Sequence, residues 1–315
     1  MKLAGHWDKC ARLSNRWELI GTFSSVRAIN RAWYKCWEAI HDFNLVSKSE
    51  KALVSAHIAE GPGGFLDAIR VFRERSLEDV SNDAFVAMTL KGPDDGNTPD
   101  FKQHMFLSKA LKNGVFFYGD GSGDVTRPEN IKGFVAQVPG GADIVTCDGA
   151  FDVSDDYMTQ ETQSAKLLFS EVVACLLSQK KGGNCLIKAF DCHTLVTAKI
   201  VYFLYGLYDD VCVCKLRTSR PCNGEVYIVC KRFNGLPHKM GETLMKMVVN
   251  EGYLRHEGAF EFDLPSDFVH GLTAFNDARC AEQISQINAT LECRAVDRSV
   301  RRDSAVEFCK RYKLN

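Results

Sequence analysis

The chain has 315 residues, of which 39 are basic and 40 acidic, so its formal net charge is -1. This balance excludes a uniformly basic nucleic-acid binder, and any RNA-binding face must be a local patch. The hydrophobic content of 45% is enough for a large core, and the length suits one large domain with an accessory segment.

Hydrophobic spacing predicts alternating helices and strands through most of the chain. Residues 31–42 place apolar side chains at helical spacing. The apolar run 52–59 predicts a buried strand, and a helix should follow from about 65 to 75. The stretch 91–130 is dense in Gly, Pro, Asp and Asn, and a loop-rich segment of this length usually has a function or is mobile. The other predicted strands are 84–90, 143–148, 184–190, 211–216 and 225–232, and the other predicted helices are 160–180 and 194–207.

This alternation indicates an α/β sandwich of the Rossmann-like type with a mostly parallel sheet. The turn at 219–224 separates the last two strands and predicts a final antiparallel hairpin. We divide the chain into an N-terminal extension on the substrate side at 1–30, a main domain at 31–235 and an accessory segment at 236–315. The last segment is set apart because its sequence becomes helical and charged.

Thirteen cysteines are scattered along the chain without a C-x-x-C pair. Thiols packed in the core, in a reducing compartment, are therefore expected rather than a disulfide framework. The sequence has no apolar run long enough to span a membrane and no signal-peptide pattern. We expect a soluble, intracellular protein in the nucleus or cytoplasm, or in the host cytoplasm if its origin is viral.

A glycine-rich turn follows the first predicted strand, where a ligand of an open α/β sheet would bind. Glycines let the backbone approach a ligand, and the following helix offers free N–H groups. The turn departs from the G-x-G-x-x-G dinucleotide pattern and contains a proline, which suits a nucleoside ligand without a pyrophosphate, such as S-adenosylmethionine. A tight strand-to-helix turn without a ligand remains the alternative. Its residues are Glu60, Gly61, Pro62, Gly63, Gly64 and Phe65.

Four polar residues lie at the edges of predicted elements, in the order Lys35, Asp148, Lys188 and Glu225. A ribose 2′-hydroxyl must lose its proton as it attacks, and a lysine can accept it if burial and a neighbouring cation lower its pKa. Lys188 is the candidate base, and Asp148 would orient it and the methyl donor. Lys35 would position the hydroxyl and disfavour a proton on Lys188. Glu225 would hold Lys35, and no metal is needed. Two salt bridges at the edge of the core are the alternative reading.

Seven segments of the chain carry a resemblance to a known family: 30–35, 60–65, 88–92, 119–130, 147–149, 188–191 and 219–231. They resemble the FtsJ/RrmJ-like RNA 2′-O-methyltransferases, which use a Lys-Asp-Lys-Glu tetrad. The resemblance is strongest to the cap-specific mRNA enzymes of eukaryotes and large DNA viruses. The resemblance covers roughly 27–235 and implies a class I S-adenosylmethionine-dependent methyltransferase fold. The stretch 119–130 is its most specific part. Position 224 departs from it, with glycine where the family often has serine.

The resemblance also implies roles for individual residues. Asn30, the loop 60–65, Asp124 and Val125 would contact S-adenosylmethionine. Arg31, Arg220 and Asn223 would lie near the RNA.

Trp7 and Trp17 are candidates for stacking a methylated guanine, because a cationic base stacks well on aromatic rings. Trp33 and Trp37 share a helical face and are expected in the core instead. His57 lies within a buried strand, so we expect a hydrogen-bonded core histidine rather than a catalytic one.

The resulting hypothesis is methyl transfer to the 2′-hydroxyl of a cap-proximal nucleotide in capped mRNA. Capped RNA is then the expected binding partner, and proteins of the capping or transcription machinery are further candidate partners. A 2′-O-methyltransferase for rRNA or tRNA and a non-catalytic RNA-binding subunit of the same fold stay open. An NAD-linked oxidoreductase is disfavoured because the dinucleotide pattern is missing. The sequence leaves open which nucleotide is modified, the need for a methylated cap, and the oligomeric state.

Overall fold

A computed structural model describes residues 2–92, 100–101, 113–150, 159–250, 260 and 262–315. Seven strands form one sheet in this part of the chain. They are β1 (Val54–Ile58), β2 (Ala84–Met88), β3 (Asn113–Phe116), β4 (Ala142–Cys147), β5 (Gln179–Phe190), β6 (Tyr208–Cys214) and β7 (Glu225–Phe233).

The sheet has the strand order β3-β2-β1-β4-β5-β7-β6. Strands β1 to β5 pair with one another in parallel, whereas β7 runs antiparallel to both β5 and β6. The predicted α/β class, the mostly parallel sheet and the final hairpin are therefore confirmed. Because β1, β2 and β4 are parallel and adjacent, the loops at their carboxyl ends meet at one edge of the sheet, where ligands of such folds bind.

Helices cover both faces of the sheet. They are α1 (Lys2–Ser14), α2 (Ile20–Phe23), α3 (Ala32–Phe43), α4 (Gly64–Ser76), α5 (Pro128–Ala136), α6 (Gln160–Ser178), α7 (Leu195–Tyr205), α8 (Met240–Val249), α9 (Ser266–Leu291) and α10 (Arg298–Arg311). Alternate residues of β7 serve the two faces: Val226 and Ile228 pack with α6 and α7, while Tyr227 and Val229 pack with α3 and α4. None of the helices in the described residues is long and apolar enough to cross a membrane.

The predicted elements agree with the structure to within a few residues at their ends, except in the stretch predicted as loop-rich. That stretch contains β3 and the start of α5, while 93–99 and 102–112 lie outside the described residues. β3 was missed because it is a short edge strand whose residues 113–115 are exposed. Such a strand lacks the apolar run that marks a buried one.

The last helix of the chain packs against the first helix of the main domain. Phe308 and Tyr312 belong to the same hydrophobic cluster as Trp33 and Trp37, and Trp37 Nε1 donates a hydrogen bond to the Tyr312 carbonyl oxygen at 2.9 Å. The core position predicted for the two tryptophans is confirmed. The boundary at 235–236 stays a prediction, but the segment beyond it shares a core with α3.

The cysteines differ from the expectation in one place. Cys10 and Cys293 form a disulfide, although 283 positions separate them in the sequence. They meet because α1 packs against α9, which no sequence spacing indicates. The other eleven cysteines are free, and seven of them are buried, in line with the predicted core thiols.

Candidate active site

Two ion pairs bring the four predicted polar residues together. Asp148 directly follows β4, and Lys188 lies in the adjacent β5, with its Nζ 3.1 Å from Asp148 Oδ1 and 2.7 Å from the Asp148 carbonyl oxygen. Lys35 on α3 reaches across to Glu225 at the start of β7, at 2.7 Å. All four side chains are at most 14% exposed. The site therefore consists of partly desolvated charges at the edge of the sheet.

Two residues that the sequence analysis missed support these pairs. The Tyr227 hydroxyl donates to Asp148 Oδ1 at 3.3 Å, and the Tyr227 ring lies beneath Lys35 Nζ, 5.9 Å from the ring centroid. Ser219 Oγ donates to Glu225 Oε1 at 2.6 Å. Tyr227 lies two residues after Glu225 and so on the same face of β7, a signal that the sequence contains. Ser219 lies on a turn, and its contact needs the tertiary structure.

The charges of the site alter its pKa values strongly. Burial acts to raise the pKa of Glu225, but the charges of Lys35 and Lys188 outweigh it and lower this pKa to about 2. Burial acts to lower the pKa of Lys188, but Asp148 and Glu225 outweigh it and raise this pKa above its usual value. The expectation that burial and Lys35 lower the Lys188 pKa is therefore wrong for the protein alone, because two carboxylates face this amine.

Helix α3 holds the segment that leads to Glu225 by a second contact. Glu38 lies one turn after Lys35 on the same helix face. Its carboxylate accepts hydrogen bonds from the backbone N–H groups of Arg217 at 2.9 Å and Thr218 at 3.1 Å. Lys35 and Glu38, both on α3, thus hold the connection between β6 and β7 at two points.

The glycine turn owes its shape to close contacts with the segment before α3. Gly63 has a φ of 101°, a conformation that favours glycine. A Cβ atom at Gly64 would lie 2.2 Å from Asn30 Oδ1 and 3.0 Å from the Trp33 backbone nitrogen. Asn30 Oδ1 itself accepts a hydrogen bond from Trp33 N at 3.3 Å. The turn and Asn30 are therefore in close contact, and their binding of S-adenosylmethionine stays a prediction.

The two larger side chains of this turn point into the protein. Glu60 Oε1 lies 2.8 Å from His57 Nδ1, and Glu60 Oε2 accepts a hydrogen bond from Leu66 N at 2.9 Å. The Phe65 ring packs against Tyr227 at a centroid distance of 6.1 Å. His57 is fully buried and hydrogen-bonded on both ring nitrogens, which confirms the predicted core histidine. Cofactor contacts of Glu60 and Phe65 stay predictions, and the structure gives both side chains a supporting role.

Thr89, just after β2, joins the two loops predicted to hold the cofactor. Its hydroxyl oxygen accepts a hydrogen bond from Gly61 N at 3.1 Å. Its carbonyl oxygen would lie 1.8 Å from a Cβ at Gly123, so only glycine allows this approach. Asp124 is partly exposed beside it and accepts from Thr126 N at 2.9 Å, whereas Val125 is buried. Two glycine-lined loops thus meet at the carboxyl ends of β1 and β2, an arrangement that fits a nucleoside ligand.

The three residues expected near RNA lie around the connection between β6 and β7, which leads to Glu225. Arg31 forms an ion pair with Glu18 at 2.5 Å and donates to the Thr218 carbonyl oxygen at 3.4 Å. Arg220 lies 3.3 Å from Asp8 on α1. Asn223 is bound by Lys215. Both arginines are about one-third exposed (38% and 30%), so they can offer N–H groups to a phosphate.

The glycine at position 224 has a structural reason. A Cβ atom there would lie 2.3 Å from Asp191 Oδ2, and Asp191 N donates to the Gly224 carbonyl oxygen at 2.8 Å. A serine at this position would require Asp191 to move. The departure from the family pattern therefore goes with a close approach of two loops in this chain.

The chain is similar in sequence to several known proteins. The chain is 33% identical over 235 residues to the cap-specific mRNA (nucleoside-2'-O-)-methyltransferase 1 of Mus musculus, covering 71% of this chain and 27% of that protein. The Homo sapiens protein of the same name is 30% identical over 257 residues, which cover 76% of this chain and 30% of that protein. The cap-specific mRNA (nucleoside-2'-O-)-methyltransferase 2 of Drosophila melanogaster is 29% identical over 76% of this chain and 35% of its own length.

The chain thus spans about a third or less of the length of these curated relatives. Residues 28–233, more than half of the chain, match the family described as FtsJ-like methyltransferase. This range begins just before α3 and ends with β7, so it contains the sheet, the glycine turn and both ion pairs. The chain belongs to the FtsJ-like methyltransferase family.

Proposed function

We propose that this protein transfers a methyl group from S-adenosylmethionine to the ribose 2′-hydroxyl of a cap-proximal nucleotide in capped mRNA. The observation that carries the proposal is the pair of facing ion pairs, Lys188 with Asp148 and Lys35 with Glu225, at the ligand-binding edge of the sheet. The capped substrate is supported by the names of the relatives in mouse, human and fly.

S-adenosylmethionine is the methyl donor that the family implies. When bound, it supplies a methyl group on a positively charged sulfur, which a hydroxyl oxygen can attack without a metal ion. The loops that meet at Thr89, together with Asn30 and the backbone at Gly64, would hold it. The shape of this cradle depends on glycine at two positions, because a Cβ atom at Gly64 would clash with Asn30 and one at Gly123 would clash with the Thr89 carbonyl oxygen.

Lys188 Nζ would accept the proton of the ribose hydroxyl as its oxygen takes the methyl group from the donor sulfur, which would be left as a neutral thioether. Asp148 and Tyr227 would fix the orientation of that amine, while Lys35 would donate to the ribose oxygen. Glu225 would hold Lys35 in place at 2.7 Å. Lys188 is protonated in the protein alone, because its pKa is raised. A positive charge brought next to Asp148 would lower that pKa and favour the neutral, basic form.

The test is tritiated-methyl transfer from S-adenosylmethionine to a short RNA with a methylguanosine cap, beside the same RNA with a 5′-triphosphate. We expect label only in the capped RNA, on the ribose of a nucleotide next to the cap. Nuclease digestion and chromatography of the labelled nucleotides would show both the position and the ribose attachment.

The other outcomes distinguish the remaining hypotheses. Equal label in both RNAs would replace the cap-specific proposal by a general RNA ribose methyltransferase, and label only in rRNA or tRNA would assign that substrate instead. A wild-type protein that binds S-adenosylmethionine and labels none of these RNAs would support the non-catalytic subunit.

We expect Gly64→Ala to weaken S-adenosylmethionine binding about 10-fold, which corresponds to roughly 1.4 kcal/mol. The added methyl group would displace Asn30 and press on the backbone at Trp33, and overpacking of this kind costs about 1–3 kcal/mol. Isothermal titration calorimetry measures the effect. Gly271→Ala on α9 is the matched control, since nothing lies within 4 Å of the new atom. Equal affinity in both variants would remove Gly64 from the cofactor surface.

A further inference from the structure

Lys215 lies directly after β6 and joins the turn 215–224 to the start of β7. Its Nζ donates to the carbonyl oxygen of Glu225 at 2.6 Å, to the carbonyl oxygen of Asn223 at 2.8 Å and to Asn223 Oδ1 at 2.5 Å. An ammonium group has three donors, and here three oxygen atoms of the turn receive them. The lysine thus ties the two ends of the turn together.

These contacts hold two residues of the proposed reaction. Glu225 carries the carboxylate that binds Lys35, and its position depends on its own backbone, which Lys215 holds. Asn223 is predicted to lie near the RNA. Among the described residues, the hydrogen bonds of Lys215 Nζ go to these neutral oxygens rather than to a carboxylate. A half-buried cation that binds neutral oxygens instead of an acid is costly, so a geometric role explains its presence better than stability does.

We propose that Lys215 is a positioning residue of the methyl-transfer site, which fixes Glu225 and Asn223 through the backbone of the turn. This inference rests on the proposed function. Lys215 would act on the reaction through Glu225 and Lys35, and on RNA binding through Asn223. The cofactor loops lie at the ends of other strands, so S-adenosylmethionine binding should not depend on Lys215.

The surroundings of Lys215 make this role sensitive to pH. Burial lowers the pKa of Lys215 to about 7. Glu225 on β7 and Asp191 after β5 act to raise this pKa, while Arg279 on α9 and Lys35 on α3 act to lower it. Below this pKa the ammonium group offers three donors to three acceptors. As pH rises through it, one donor is lost, and the hold on the turn should weaken.

The test compares Lys215→Met, Lys215→Arg and a matched control, Lys199→Met. Lys199 is also buried and donates to a backbone carbonyl, that of Phe260, on the far side of the sheet from Lys35. We expect Lys215→Met to lower kcat about 10- to 100-fold and to raise KM for RNA, because small displacements of catalytic groups have effects of this size. The dissociation constant for S-adenosylmethionine should stay within about 2-fold of wild type. Lys199→Met should keep the wild-type kcat, even if it melts at a lower temperature.

The arginine variant gives a readout that a merely structural role would not change. Its guanidinium stays charged across the accessible pH range. The ratio of kcat for Lys215→Arg to kcat for wild type should therefore rise from about pH 6 to about pH 9, as wild type loses the charge. The ratio cancels the titration of Lys188, which both proteins share. A flat ratio together with an unchanged kcat in Lys215→Met would overturn the proposal.

Hydrogen exchange separates this inference from the proposed function. Peptides covering 216–226 should exchange faster in Lys215→Met than in wild type, whatever substrate the enzyme uses, while peptides covering 60–66 should not change. A wild-type protein inactive on all RNAs, with this exchange pattern intact, would count against the proposed function only. Unchanged exchange over 216–226 would count against Lys215 itself.

Discussion

Lys188→Ala is expected to lower methyl transfer by about 10²- to 10⁴-fold, the range typical of a lost general base. The lysine is the only one of the four predicted polar residues whose amine contacts both the side chain and the backbone of Asp148. Its removal leaves the cofactor loops untouched, because these are held by Thr89, Glu60 and Asn30. S-adenosylmethionine should therefore bind the variant as it binds wild type.

Single-turnover methyl transfer at saturating cofactor measures this effect, with calorimetry for the binding. In wild type, kcat/KM should rise with pH from about 6.5 to 9, though less steeply than in Lys215→Arg, because the raised pKa of Lys188 keeps the amine protonated in the free protein and only the neutral form accepts a proton. Lys199→Ala is the control for loss of a buried lysine. A Lys188→Ala rate equal to wild type would assign the base to another group.

Asp83→Ala is expected to cost about 3–5 kcal/mol of unfolding free energy, because it leaves a buried guanidinium unpaired. Arg73 on α4 is 1% exposed, and its Nε and Nη2 each lie 2.8 Å from an oxygen of Asp83. Asp83 Oδ1 also accepts a hydrogen bond from Leu53 N at 2.8 Å. The substitution would thus release both α4 and the segment before β1 from the start of β2.

Urea denaturation followed by circular dichroism checks this value. The matched control is Asp209→Ala, which breaks the Asp209–Arg232 pair at 3.0 Å. Both of those side chains are about half exposed (47% and 53%), so the loss should be far smaller than that of Asp83→Ala. Similar losses in the two variants would show that the Arg73–Asp83 pair is not the buried link that its geometry indicates.

The sequence alone was enough to predict the candidate site because each part has a local signal. A lysine inside an apolar strand, an aspartate just after one and a glycine-rich turn after the first strand are visible without coordinates. The structure adds the strand order, in which β1, β4 and β5 are adjacent and parallel, so that their carboxyl ends lie side by side. This order brings Asp148 next to Lys188 and places the glycine turn at the same edge of the sheet.

Residues that act through long-range contacts had no such signal. Lys215 directly follows an ordinary edge strand, and its role appears only when the turn folds back and presents three oxygens to it. Glu38 looked like any polar position of an amphipathic helix until its contacts with Arg217 and Thr218 were seen. The direction of the Lys188 pKa was also mistaken, because the balance of burial against two carboxylates depends on distances in space.

By itself, the sequence determined the α/β class, the final hairpin, the core tryptophans and the order of the catalytic candidates, since hydrophobic periodicity and strand-end chemistry are local properties. The tertiary structure alone decided how α10 closes the core over Trp37, where Cys10 meets Cys293, and which neighbours tune each charge. Contacts between positions hundreds of residues apart depend on how whole elements pack, and packing depends on shapes and energies that a local pattern does not contain.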